Sequence, residues 1–301
     1  MSAGWVAAGA RATALARRRL GRDTVTAVAA CTDLPHALSM LAGGPYRRHT
    51  HPGQSLAEAE RGLAETLLWH LRVLAGWLPP RGAQTLRLLA GWFEIANVEE
   101  RLHGDGGAVF RPGSLATAGA RLSEAHTGEQ IRAVLAASPW GDPGSSDPAD
   151  IVRGMRLSWG ERLAAHAPQT HPWVAGGVAL LVADELFTDR RTLPPAALTA
   201  AGRVLGTRCL HAESLSQFRA SLRPDARWAV TDASALDPWQ AQISWWRRVR
   251  SDGDRLLAAT TFDEQRPIGA ASLLAVDAWQ LRAALETAAR GSVSEVFDVL
   301  A

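Results

Sequence analysis

The sequence predicts an all-α protein on three observations. Helix-start signals recur along the chain, apolar residues repeat with a period near 3.6, and alternating β-branched patterns are missing. Taken in order, Ala7–Arg22 reads as an ordinary first helix, with alanines and leucines at helical spacing around Leu15 and Leu20. Its arginines and lack of acids superficially resemble a transit peptide. Asp33-Leu34-Pro35 places a capping aspartate just ahead of a proline, where the missing N–H is an orphan anyway. Asp147-Pro148 and Asp237-Pro238 repeat that start. Ser55 with Glu58, Thr127 with Gln130 and Ser292 with Glu295 each fit a capping box, in which two side chains satisfy orphan N–H groups reciprocally. Leu63, Leu67, Leu71, Leu74 and Leu78 mark one helix face. The most apolar run, Val174–Phe187, carries Asp184 and Glu185 and falls short of the roughly 20 residues that span a bilayer. It reads as a buried soluble helix.

Breaks are predicted at Gly43–Gly53, Gly104–Gly113, Gly141–Pro148, Pro194–Pro195 and Ser251–Asp254. The pieces between them form a degenerate repeat. A short helix followed by proline and an aromatic ends at Pro45-Tyr46 and again at Pro139-Trp140, with a looser third copy from Leu215 to Trp228. Each copy precedes a long amphipathic helix and then a more apolar one, at Leu86–Gly104, Trp173–Arg191 and Ile268–Gly291. Three helical units result, 1–107, 108–195 and 196–301. Chance matching in an alanine- and leucine-rich chain is the competing reading.

Composition narrows the chemistry. Apolar residues make up 47% and charged residues 21% of 301, which is globular rather than disordered. All 32 basic residues are arginine, as a GC-rich genome would give. Without lysine, neither a P-loop nor a Schiff-base nucleophile can be built in its usual form. The net charge of +2 is too balanced to mark a nucleic-acid binder. Cys31 and Cys209 lie in apolar surroundings without a partner at ligand spacing, so they read as reduced core residues of a cytosolic protein.

The stretch Trp92-Phe93-Glu94-Ile95-Ala96-Asn97-Val98-Glu99-Glu100-Arg101-Leu102-His103-Gly104 carries a family resemblance. With Ala10-Arg11 in the first helix and Leu273-Leu274-Ala275-Val276-Asp277-Ala278-Trp279-Gln280-Leu281-Arg282 near the end, it resembles the C subunit of V-type rotary ATPases, subunit d in eukaryotes. Ser292–Leu300 would supply that family's short last helix. Trp279 and Arg282 depart from the family pattern, which has an acid and an asparagine there, and Tyr46 is the only tyrosine. The resemblance implies three pseudo-symmetric helical domains packed into a funnel. It also implies a non-catalytic role without cofactor, metal or small-molecule ligand. The partners implied are rotor-ring and central-axle subunits, at a cytoplasmic site peripheral to the membrane through the complex.

Other constellations read blandly. His49 and His51 sit in a Gly/Pro loop with too few ligands for a metal. His70 and His103 are expected to make ordinary polar contacts. The acids, Glu94, Glu99, Glu100, Asp184 and Glu185 among them, fit solvated helix faces better than the paired carboxylates of glycoside hydrolysis. Ser158-Trp159-Gly160 lacks a nucleophile elbow's glycine and strand. The twelve tryptophans are unusual, and helical spacing assigns Trp69, Trp77, Trp92 and Trp173 to the core. Trp239, Trp245 and Trp246 stand apart because they precede Arg247, Arg248 and Arg250 on one short helix. That composition suits an interface hot spot or a cation–π-laced seam. Trp245, Trp246, Arg247, Arg248 and Arg250 are therefore the candidate partner surface. Arg11, Arg17, Arg18, Arg19 and Arg22 make the first helix basic, either as a solvated face or toward anionic head groups. The alternatives to a rotary-ATPase adaptor are a free-standing helical-repeat scaffold and an all-α enzyme with a deep pocket of perturbed titratable groups.

Overall fold

The computed structural model describes residues 3–103, 109–231 and 238–291, and among them there is helix and turn but no strand. The fold is all-α. The pair Ser292/Glu295, the last helix and Asp237 lie outside the described residues. The chain forms two compact units, one from the described residues of Met1–Gly82 and Val249–Ala301, the other from Ala83–Arg248.

The first unit holds α1 (Ala3–Ala16), α2 (Gly21–Ala29), α3 (Leu34–Leu41), α4 (Leu56–Ala75) and α14 (Gln265–Ala289). Each start follows local chemistry. Asp33 accepts the His36 N–H at 2.8 Å ahead of α3. Ser55 and Glu58 close the predicted capping box of α4. α14 is the centre of the unit and packs on α1, α2, α3 and α4. It is buried nearly all round, from Ile268 through Ala288, as a helix with no solvated face must be. Val28, Leu38, Leu41, Leu63, Leu281 and Leu285 are fully buried in the resulting core.

Ser251–Asp254 is no break, contrary to expectation: α13 runs unbroken over Pro238–Leu257. Gly253 is needed for contact rather than for a turn, since a Cβ there would meet the Leu273 side chain at 3.1 Å. Opposite it, a Cβ at Gly269 would fall 2.5 Å from the Leu257 nitrogen and 2.7 Å from the Gly253 oxygen. Backbone cannot yield as a side chain tip can. Gly269→Ala is therefore expected to destabilise by about 2 kcal/mol, overpacking outweighing the helix-propensity gain. Gly9→Ala in α1, where a Cβ meets only the flexible Arg266 side chain at 3.5 Å, should instead gain up to about 1 kcal/mol. Urea titration of both variants checks the opposite signs; equal shifts would refute this reading of the crossing.

The second unit contains α5 (Pro80–His103) from residue 83 onward, α6 (Ala120–Glu124), α7 (Gly128–Ala136), α8 (Pro148–His166) and α9 (His171–Ala183). It continues with α10 (Pro195–Leu205), α11 (Leu215–Ser221), α12 (Pro224–Arg227) and the first part of α13. Thr127 with Gln130 forms the predicted capping box, and Asp147 caps α8 with Pro148 behind it. The apolar run from Val174 forms α9 and then one π-helical turn, Asp184–Thr188. That turn holds Glu185, which is buried and sits 2.5 Å from the buried Arg153. Ile95, Val98, Ile131, Leu135, Ile151 and Met155 pack together across α5, α7 and α8.

Two buried carboxylates fix the turns of these units, and the first, Glu94, is not the solvated helix-face acid that its sequence suggested. Glu94 of α5, 3% exposed, accepts the Thr117 N–H at 2.8 Å, the Ala118 N–H at 3.1 Å and the Trp140 indole N–H at 2.7 Å. One turn on, Asn97 exchanges two hydrogen bonds with the Phe110 backbone, at 2.6 and 2.9 Å. Asp277 of α14, also 3% exposed, accepts the Leu20 N–H at 3.1 Å and the Tyr46 hydroxyl at 2.8 Å. Burial raises its pKa even against these donors, and it pushes Tyr46 well above the ordinary phenol value. In both cases an acid on an apolar helix holds a loop N–H and the aromatic that follows a proline.

Candidate partner-binding surface

The predicted stripe lies on α13, and the structure divides it. Trp245 is half-buried, its indole N–H donating to the Trp173 carbonyl at 2.7 Å and its ring edge-on to Trp173 at 5.9 Å. Val249, one turn on, is buried, so the pair at i and i+4 seats the helix. Trp246 is half-buried and edge-on to Trp245 at 4.9 Å. Arg248 places its guanidinium 5.3 Å from the Trp228 ring, a cation–π contact within the unit. Arg247 is exposed and Arg250 half-buried. The solvent-reachable part of the stripe is thus Trp246, Arg247 and Arg250, with Trp239 at 40% exposure near the helix start.

Sequence reasoning missed that Trp245 joins Trp246 to a chain of indoles. Trp92, Trp159, Trp173 and Trp245, from α5, α8, α9 and α13, lie 5.5, 6.1 and 5.9 Å apart by ring centroid. The signal was present in Gly176-Gly177. A Cβ at Gly176 would come within 2.5 Å of the Trp228 ring, and one at Gly177 within 3.0 Å of the Trp245 nitrogen. The glycines let two indoles lie directly on α9. Trp173 is buried as predicted, but Trp92 and Trp77 are 47% and 52% exposed. On Trp92 the Arg156 guanidinium lies 5.8 Å from the ring, itself bonded to Glu99 at 3.2 Å. Aromatic faces stacked by arginine and left open to water are the composition that interfaces favour.

Other predicted features take structural places. Cys31 and Cys209 are free, buried thiols whose pKa burial raises. His49 hydrogen-bonds Thr66 at 3.0 Å. His70 is 4% exposed, and its Nδ1 lacks the polar contact expected of it among the described residues. Arg17, Arg18 and Arg19 fall in the turn after α1 rather than on it. Among the described residues no group of three or more His, Cys, Asp or Glu could hold a metal ion, and no helix is long and apolar enough to cross a membrane. No protein-family model matches the sequence, and no curated protein matches it.

Proposed function

We propose that this chain is a non-catalytic adaptor of a V-type rotary ATPase, linking the membrane rotor ring to the central axle. The observation that carries the reading is the role of the stretch bearing the resemblance. Glu94 and Asn97 of that stretch pin a loop and a proline-turn tryptophan onto α5. Asp277, in the second resembling stretch, does the same with Leu20 and Tyr46 on α14. A part that passes torque needs turns that cannot give, and buried charge-assisted hydrogen bonds supply that stiffness.

The same comparison supports three pseudo-repeated helical domains in a funnel, with boundaries at 1–107, 108–195 and 196–301. In the second copy Trp140 packs on Gly91 of α5, three residues before Glu94; in the third Trp228 packs on Gly176 of α9. Three residues on from Gly176 stands Ala179, which has no acceptor. Trp228 donates instead to the Asp225 and Pro172 carbonyls, at 2.9 and 3.3 Å. Each apolar helix therefore holds the aromatic turn of another stretch, the third serving the first.

On this reading Trp246 and Arg250 touch a ring or axle subunit. Trp246→Ala with Arg250→Ala is expected to weaken pull-down of those subunits by about thirtyfold or more, the effect of about 2 kcal/mol for a true hot spot. The melting temperature should stay within the shift of an exposed substitution, about 0.5 kcal/mol. A sharp fall in melting would make the stripe core. If the unaltered chain captures neither ring nor axle subunits, the adaptor reading fails and the free-standing scaffold takes its place.

A further inference from the structure

We infer that a cleft on the second unit, lined by no residue of α13, binds an acidic peptide segment of a partner protein through Arg208, Arg223 and Arg227. The inference stands on the cleft alone and goes beyond the rotary reading. The cleft measures about 660 Å³, within the size range of ligand sites, and three guanidiniums, the His211 imidazole and the Gln217 amide line it with no carboxylate among them. Sequence reasoning passed over it because Pro224 breaks the four-residue spacing of Arg219, Arg223 and Arg227 between two short helices.

Two of the three arginines, Arg223 and Arg227, are set in place within the unit, and Arg223 also lies 3.0 Å from His171 Nε2 through its Nη2. Arg227 donates through Nε to the Leu222 carbonyl at 3.2 Å and through Nη2 to the Ala220 and Leu222 carbonyls at 3.1 and 2.7 Å. Arg223 donates through Nη2 to the Val204 carbonyl at 2.6 Å, and Asp225 lies 3.5 Å from its Nε. One side of each fork is thereby fixed, while the Nη1 donors make no hydrogen bond among the described residues. The rotamer entropy that a free arginine loses on binding is already spent. Gln217 accepts the Glu213 N–H through Oε1 at 2.8 Å, which leaves its NH₂ to donate. Arg208 is exposed, and among the described residues its side chain makes no ion pair or hydrogen bond.

The groups left over are mostly donors, with the Ser221 hydroxyl and the His211 imidazole able to act either way, and such a donor-rich lining favours a ligand that offers acceptors. Carboxylates fit the guanidinium fork bidentately. Phosphate sites typically add backbone N–H groups from a helix start or nest, and here the donors are side chains. Nucleic acid and anionic membrane call for an extended basic face, whereas the whole chain carries only +2. A run of glutamates or aspartates, each meeting one guanidinium, is the occupant that this spacing and chemistry fit.

The test uses the full chain and a fluorescein-labelled hexaglutamate peptide, read by fluorescence polarisation at low and raised salt. Saturable binding that weakens with salt is expected. Arg208→Gln, which removes no bond among the described residues, should weaken it at least fivefold with unchanged melting, and Arg208→Lys should recover part of the loss. Arg72→Gln, an exposed arginine on α4 of the other unit, should leave binding intact. Equal binding by the unaltered chain and Arg208→Gln, or an equal loss in Arg72→Gln, overturns the site. So does stronger binding to inorganic phosphate or to phosphatidylserine vesicles than to the peptide. None of these outcomes depends on ring or axle subunits, so the adaptor reading is tested separately.

Discussion

Replacing Glu94 with alanine is expected to lower the stability of the second unit by about 4 kcal/mol, because it strands several buried donors at once. The carboxylate accepts from two backbone N–H groups and from the Trp140 indole, all within 3.1 Å. A hydrogen bond to a charged acceptor contributes about 1.5–3 kcal/mol, and each donor left buried and unpaired costs about 1–3 kcal/mol. These do not add in full, since removing the carboxylate also removes the cost of burying a charge. The charge is partly balanced: Arg162 stacks 5.1 Å from the Trp140 ring, and burial lowers its pKa while Glu94 pulls it back up. Alanine would remove the larger of the two acidic influences on that guanidinium, leaving Glu161. Glu94→Gln keeps an oxygen that can accept twice but turns an NH₂ toward a donor, so about half the loss is expected. Urea unfolding of the three proteins provides the measurement, with near-ultraviolet circular dichroism following Trp140. If Glu94→Ala falls within about 1 kcal/mol of the unaltered chain, the clasp is ornamental and the stiffness argument for the adaptor goes with it.

What the sequence made legible is what is local. Asp33, Ser55, Thr127 and Asp147 cap the predicted helices, because a cap and its N–H donors lie within three residues. The unread part is set across the chain. Glu94 and Asp277 resemble any helix acid until Thr117 and Leu20 arrive, the latter 257 residues away from Asp277. Gly253 with its polar neighbours has a turn's composition, and only the approach of Leu273 shows why the glycine belongs inside a helix. Trp77 and Trp92 keep helical spacing yet stay half in water, since periodicity says which residues share a face and not what covers it. The candidate surface was half legible. The Trp245–Val249 pair follows from i,i+4 spacing, while the glycine pair that admits Trp245 onto α9 lies some 70 residues earlier in the chain.

The stability of the first unit should fall as the pH drops from about 6.5 to about 4, with His70 as the cause. Its imidazole is buried on α4, with Nδ1 unpartnered among the described residues. Burial first, then the charges of Arg18 and Arg11 and the neighbouring His49, lower its pKa to about 4. In the unfolded chain the group titrates near its ordinary value of about 6.5. Between those two values the unfolded state binds a proton that the folded state refuses. The stability due to neutral His70 is thus complete above about 6.5 and is lost as the pH falls toward 4. A separation of about 2.5 units corresponds to about 3 kcal/mol across the window. Asp277 works in the opposite sense: its raised pKa favours the folded state at lower pH. It is present in any His70 variant and cancels in the difference. Urea midpoints of the unaltered chain and of His70→Phe, measured from pH 7.5 to 4.5, isolate the histidine. The unaltered chain should lose stability relative to the variant by about 1.4 kcal/mol per pH unit in the middle of the window. Parallel curves would mean that His70 is already solvated or protonated in the folded protein, and the buried neutral imidazole would have to be abandoned.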